Sequence, residues 1–280
     1  MLARLNNFQQ RFLMSFLGIA FLALFIFSSH VPPFQYLFVA ALAFAQGCAL
    51  WEYFTLSQTK GVQPLKMVAT IASGLYIVLH FFLPDTSLVI PFLFVVLALA
   101  FICHFSRAEQ AITNLACTLF GLIYITIPLG FLLDINFMQT SAWIIYLLVT
   151  TKITDTAAYI AGKLLGSHPL APMLSPKKTR EGAIAGLFGA IASSLAFFYT
   201  WDKLGLPYGT SFSWLEAILL GLSIGIISQI GDLAESLLKR DAQVKDSSTL
   251  PGFGGMLDVV DSMIFTTPLL YFWLQCKGLL

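Results

Sequence analysis

Between Ser236 and Ser262 the chain reads SLLKRDAQVKDSSTLPGFGGMLDVVDS, a polar island in a sequence of which only 10% of the 280 residues are charged. The island gathers Lys239, Arg240 and Lys245 beside Asp241, Asp246, Asp258 and Asp261, together with a Pro251-Gly252-Phe253-Gly254-Gly255 loop. Basic side chains hold phosphate, carboxylates hold a divalent metal, and glycines let backbone come close to a ligand. That combination points to phosphoryl or nucleotidyl transfer. A purely structural segment has no need of all three.

Charges inside or beside apolar runs come in pairs three residues apart: Lys152 with Asp155, Asp232 with Glu235, and Asp258 with Asp261. A charge inside a membrane span costs about 2.5–3.5 kcal/mol on insertion scales and by default marks a site. Residues at i and i+3 share a helix face, so each pair points at one locus. The first pair neutralises itself. The acidic pairs repel unless a cation or a basic group sits between them. A divalent metal bound by carboxylates and substrate phosphate oxygens meets that need, in the manner usual for Mg²⁺.

Upstream, Leu174 to Gly182 reads LSPKKTREG. Ser175-Pro176 reads as a helix start, which places Lys177, Lys178 and Arg180 near a helix amino terminus, where the dipole disfavours cations. A bound anion would relieve that conflict and gain N–H donors; positive-inside topology accounts for the same charges equally well. The glycine loop leads into the last apolar run, so Asp258 and Asp261 fall in the first turns of the helix it begins.

These residues need a scaffold, and composition names its class. The chain is 58% hydrophobic with a mean hydropathy of +0.84, against roughly 45–50% apolar residues in soluble domains. Long apolar runs exclude a β-barrel, whose strands alternate over about ten residues, and leave no room for a separate soluble domain. The predicted fold is an all-α polytopic membrane protein. Runs near 12–30, 34–56, 66–83, 87–105, 111–133, 141–163, 183–201, 213–237 and 259–276 suggest about nine transmembrane helices. Arg4 and Arg11 ahead of the first run resemble a signal peptide, but no small-residue cleavage site follows, so the run reads as a span.

With the amino terminus cytoplasmic, the cytoplasmic segments receive Arg4, Arg11, Lys60, Lys66, Arg107, Lys163, Lys177, Lys178, Arg180, Lys239, Arg240 and Lys245, and the other side only Lys203 and Lys277. The positive-inside rule therefore places the carboxyl terminus outside and both long polar loops in the cytoplasm, where nucleotides are. Residues 1–140 read as amino-terminal helices with about five spans. Residues 141–280 read as a catalytic region of about four spans carrying the two polar loops.

Other residues carry bland readings. Cys48, Cys103, Cys117 and Cys276 lack paired spacing and suit packing. His30, His80, His104 and His168 are scattered and support no metal site or triad. Gly182-x-x-x-Gly186 and Gly221-x-x-x-Gly225 read as helix-packing motifs. Trp51 and Tyr53 read as interfacial anchors or core. A net charge of +1 gives no sign of a nucleic-acid partner.

The polar segments resemble the signature of the phosphatidate cytidylyltransferase (CDP-diacylglycerol synthase) family. The likeness is carried by Ser236-x-x-Lys239-Arg240, Lys245-Asp246, Pro251-Gly252-x-Gly254-Gly255, Asp258 and Asp261-Ser262. Upstream, Asp155-Thr156-Ala157-Ala158-Tyr159, Gly162-Lys163, Ser175-Pro176-Lys177-Lys178-Thr179 and Glu181-Gly182 agree with it. It covers about residues 150–265. Phe253 stands where the family has His, Val259 where it has Arg, and the loop between Asp246 and Pro251 is one residue short, so those two roles do not transfer.

The resemblance implies an integral membrane nucleotidyltransferase of phospholipid biosynthesis that makes CDP-diacylglycerol and pyrophosphate from CTP and phosphatidate with Mg²⁺, alone or with a second cation. It further implies a homodimer and, in a bacterium, an inner-membrane enzyme with its site facing the cytoplasm. Metal would fall to Asp232, Asp246, Asp258 and Asp261, and phosphate to Lys177, Lys178, Lys239, Arg240 and Lys245. Ser175, Thr179, Ser236, Gly252, Gly254, Gly255 and Asp155 would complete substrate binding. Two rivals share the parts: a CTP-dependent lipid kinase of the polyprenol or dolichol type, and an ion-coupled transporter, which also places charges within spans.

Overall fold

Apolar runs of this length bury their backbone polar groups only as helices, and helices dominate the computed structural model, which describes residues 24–84, 88–105, 109–203, 213–244 and 255–278. The main helices are α1 (Phe34–Gln58), α2 (Lys66–Phe82), α3 (Val89–His104), α4 (Ala111–Phe137), α5 (Ser141–Leu165), α6 (Arg180–Lys203), α7 (Trp214–Asp241) and α8 (Met256–Cys276). Six of them, α1 and α4 to α8, are long and apolar enough to cross a membrane. At 17 and 16 residues, α2 and α3 extend only about 25 Å at 1.5 Å per residue, short of a core about 30 Å thick. Most of the apolar run at 12–30 lies outside the described residues.

Local chemistry sets several boundaries. Ser213 and Glu216 form a capping box at the start of α7. Within α4, a π-helical turn at Leu122–Thr126 immediately precedes Ile127-Pro128. Proline has no N–H for the usual bond one turn back, and the ladder slips there. Consecutive helices pack in series, α5 on α6, α6 on α7 and α7 on α8, while α8 also reaches α1 and α4. The final helix is thus the joint between the two halves. Large apolar side chains such as Ile71, Ile90, Phe94 and Phe188 remain exposed, as lipid-facing surfaces require.

Close helix crossings depend on glycine at a few places. A Cβ at Gly231 would lie 2.6 Å from the Asp261 carbonyl and 3.2 Å from Ser262 Cα, so only glycine lets α7 and α8 meet at that level. Gly182 and Gly221 play the packing role expected of them: a Cβ there would lie 2.6 Å from the Ala158 carbonyl and from Ser194 Cβ, respectively.

The segment after α5 departs from the expected helix start at Ser175-Pro176. Strands β1 (Pro169–Ala171) and β2 (Ser175–Thr179) form an antiparallel hairpin, and α6 begins only at Arg180. Pro176 is tolerated because a two-stranded sheet has only edges, where a missing donor faces outward. The cap is Thr179, whose hydroxyl accepts from the Gly182 N–H at 3.1 Å.

Candidate active site

The acidic residues converge where α7 and α8 cross. Asp232 and Glu235, one turn apart on α7, meet Asp261 from α8, with a carboxylate oxygen of each within 4.8 Å of the others. Glu235 is 1% and Asp261 7% exposed, and Gly231 sets the close crossing that brings them together. Glu235 Oε1 is buried without a hydrogen-bond partner among the described residues. Three crowded hard-oxygen donors, one of them orphaned, are the donor chemistry that a small divalent cation such as Mg²⁺ takes, so the residues fit such an ion.

Basic side chains surround this cluster. Lys239 Nζ bridges Glu235 Oε2 at 2.6 Å and Asp258 Oδ1 at 2.8 Å. Asp258 Oδ2 accepts from the Gly255 N–H at 3.2 Å, closing the first turn of α8. Asp258 therefore faces Lys239, outside the compact group of Asp232, Glu235 and Asp261. Lys178 on β2 pairs with Asp232, and Lys152 pairs with Asp155 within α5 at 3.6 Å. Arg240 Nε donates to the Leu174 carbonyl at 3.0 Å, tying the hairpin to α7.

Beside the cluster lies a cavity of about 540 Å³ whose lining includes Asp155, Lys163, Lys177, Lys178, Thr179 and Asp232. A larger cavity of about 1060 Å³, near Gln58–Leu65, His104 and Asn114, has no Lys or Arg among its described lining residues. We therefore place the candidate site at the smaller one, where cations and carboxylates share a wall. Ser175 lies on β2 beside these lysines, and half-buried Ser236 follows Glu235 on α7. Lys245, Asp246, Gly252 and Gly254 lie outside the described residues.

Two further residues reach this region from the amino-terminal half. Glu52 on α1 is 1% exposed and accepts from the Met256 and Leu257 N–H groups at the head of α8. Tyr124, in the π turn of α4, is 7% exposed and has a hydroxyl with no hydrogen-bond partner among the described residues. Asp261 and Glu235 lie within electrostatic reach of that hydroxyl. The rule that marks charges inside spans singles out Glu52 as well, the one acid in its apolar run, but a single acid sets no i, i+3 spacing that would define a face. Nothing in the spacing marks Tyr124.

A helical membrane scaffold holding carboxylates against lysines, beside a cavity lined from α5, the hairpin, α6 and α7, has the parts needed to handle polyanions. The chain belongs to the cytidylyltransferase family, whose profile matches residues 9–277. It is 33% identical over 287 aligned residues to a phosphatidate cytidylyltransferase of Chlamydia pneumoniae, covering 95% of this chain and 91% of that one. It is 34% identical to the phosphatidate cytidylyltransferase of a Synechocystis species, covering 84% and 87%. A phosphatidate cytidylyltransferase of Staphylococcus aureus is 44% identical over 131 residues, 46% of this chain and 47% of that one.

Proposed function

We infer that this protein is an integral membrane phosphatidate cytidylyltransferase, converting CTP and phosphatidate to CDP-diacylglycerol and pyrophosphate. The observation that carries the reading is likeness to enzymes of that name along most of the chain, joined to a site made of carboxylates and lysines. A phosphate oxygen of the lipid attacks the α-phosphorus of CTP, and the bond from that phosphorus to the bridging oxygen breaks as pyrophosphate leaves. The attacking oxygen is already anionic at neutral pH, so the site needs no strong base. It needs charge neutralisation between two polyanions and in-line geometry.

Asp232, Glu235 and Asp261 are the residues to hold Mg²⁺, with Asp246 and Asp258 as further candidates. When bound, Mg²⁺ neutralises phosphate charge and polarises the phosphorus under attack. Lys177 and Lys178 line the cavity and meet phosphate there, with Lys163 beside them. Lys239 sets the Glu235 and Asp258 carboxylates, and Arg240 anchors the hairpin that carries the lysines. Ser175, Thr179, Ser236, Gly255 and Asp155 border substrate.

We assign about nine spans, the amino terminus to the cytoplasm, the carboxyl terminus to the outside and the site to the cytoplasmic face of a bacterial inner membrane. Contacts among helix ends support one charged face: Lys60 pairs with Asp241 at 3.2 Å, Glu52 reaches the start of α8, and Arg240 reaches the hairpin. At the opposite ends Lys277 pairs with Glu216. A homodimer, as the resemblance implies, completes the proposal.

Product identity tests it. Purified protein given phosphatidate, Mg²⁺ and CTP labelled at the α-phosphorus should place the label in lipid and release pyrophosphate, and a chelator should stop the reaction. Transfer of a γ-phosphorus label to a lipid alcohol would instead mark a kinase, and uptake into vesicles without nucleotide would mark a transporter.

A further inference from the structure

Helix α8 begins with a difficulty. The first N–H groups of any helix lack intrahelical partners, and the residue at its N-cap, Gly255, has no side chain to accept from them. The solution comes from two carboxylates. Asp258 reaches back to the Gly255 N–H. Glu52, some two hundred residues earlier in the chain, takes the next two: Oε1 accepts from the Met256 N–H at 3.0 Å and Oε2 from the Leu257 N–H at 2.8 Å. Both oxygens of one buried carboxylate thus grip successive amides, and the positive end of the helix favours the negative charge there.

The grip has a consequence about one turn further on. Asp258 and Asp261 occupy the first two turns of α8, and Asp261 joins Asp232 and Glu235 on α7. Where α8 starts decides whether those oxygens converge. The other end of the clamp is firm, because α1 is fastened to α4 next to Glu52: the Tyr53 hydroxyl lies 3.4 Å from the Cys117 carbonyl, and its ring packs against Phe120 and Tyr124. An acid within an apolar helix has to serve something that repays its burial, and two amides at the head of the acid-bearing helix are among the groups it serves.

We propose that Glu52 is a positioning residue of the acidic centre, holding α8 at the height where Asp261 meets Asp232 and Glu235. The proposal rests on the reading of that cluster as a divalent-cation site. It gives the amino-terminal half a part in the site through a residue that acts on the backbone at the head of α8.

Glu52→Gln tests it, because the amide has nearly the same shape but offers one acceptor and no charge. Mn²⁺ serves as the probe, with binding to the intact purified protein followed by electron paramagnetic resonance and amide hydrogen exchange followed by mass spectrometry. Partners that orient metal ligands typically change affinity or activity by about 10–100-fold, and E52Q should weaken Mn²⁺ by that factor. Exchange should quicken in segment 255–262 while α6 stays at the wild-type rate. Should E52Q fail to fold, Glu52→Asp, which keeps the charge but withdraws it by one methylene, carries the same expectation. Wild-type Mn²⁺ affinity in the folded variant overturns the proposal, and faster exchange alone would leave Glu52 a structural cap and nothing more. D261N, measured alongside, separates the two failures: if it too binds Mn²⁺ normally, the cation reading falls and takes this proposal with it, whereas weakened binding in D261N alone rejects only Glu52.

Discussion

Replacing Asp261 by Asn should lower CDP-diacylglycerol formation by about 10²–10³-fold or more, the scale on which a preorganised electrostatic group acts, and leave the protein folded. Asp261 is buried beside Asp232 and Glu235. Its charge is costly there in the absence of a cation, since like charges at this range oppose one another. Removing it relieves that repulsion, so thermal unfolding in detergent should show an unchanged or higher midpoint while turnover collapses. Loss of function with gain of stability is the mark of a residue kept for chemistry. A merely structural Asp261 would show the reverse, with retained turnover and a lower midpoint.

Lys239→Met should act in the other direction. Lys239 is the cation between Glu235 and Asp258, and a thioether of similar length leaves those two carboxylates facing each other. Breaking a buried ion pair from one side costs about 3–5 kcal/mol. Lys239 is 16% and Asp258 29% exposed at the side chain, so water tempers the loss and the lower end, about 3 kcal/mol, is expected. Turnover should fall as well, because Glu235 then loses the contact that orients it. The check is a double-mutant cycle by thermal unfolding: adding Asp258→Asn to Lys239→Met should restore part of the lost stability, since the pair is coupled.

Much of this site could be read from local spacing, and the remainder could not for physical reasons. Asp232 with Glu235 and Asp258 with Asp261 stand out because two acids on one helix face within an apolar chain demand a partner. Which acids then share a locus depends on the crossing of α7 and α8. The crossing brings Asp261 to the α7 pair and turns Asp258 toward Lys239, and neither outcome is written in an i, i+3 interval.

Glu235 is thereby a stronger metal candidate than spacing alone suggests, since it joins Asp232 and Asp261 and its Oε1 has no hydrogen-bond partner among the described residues. Glu52 stands out as the acid of its apolar run, but its role does not, because among its partners are backbone amides, which have no residue type. The hairpin at Pro169–Thr179 escaped because Ser-Pro serves an edge strand as well as a helix start. It leaves Lys177 and Lys178 on a strand beside the cavity. Among the described residues apolar length marks each main helix, and the runs at 66–83 and 87–105 already read as short, as α2 and α3 are at 17 and 16 residues.

The most direct measurement is an experimental structure of the protein soaked in Mn²⁺, read by anomalous scattering. The account predicts a peak in contact with carboxylate oxygens of Asp232, Glu235 and Asp261, on the side of the cavity that Lys177 and Lys178 face. Those three side chains turned apart, or a peak elsewhere with none of them in contact, would contradict it.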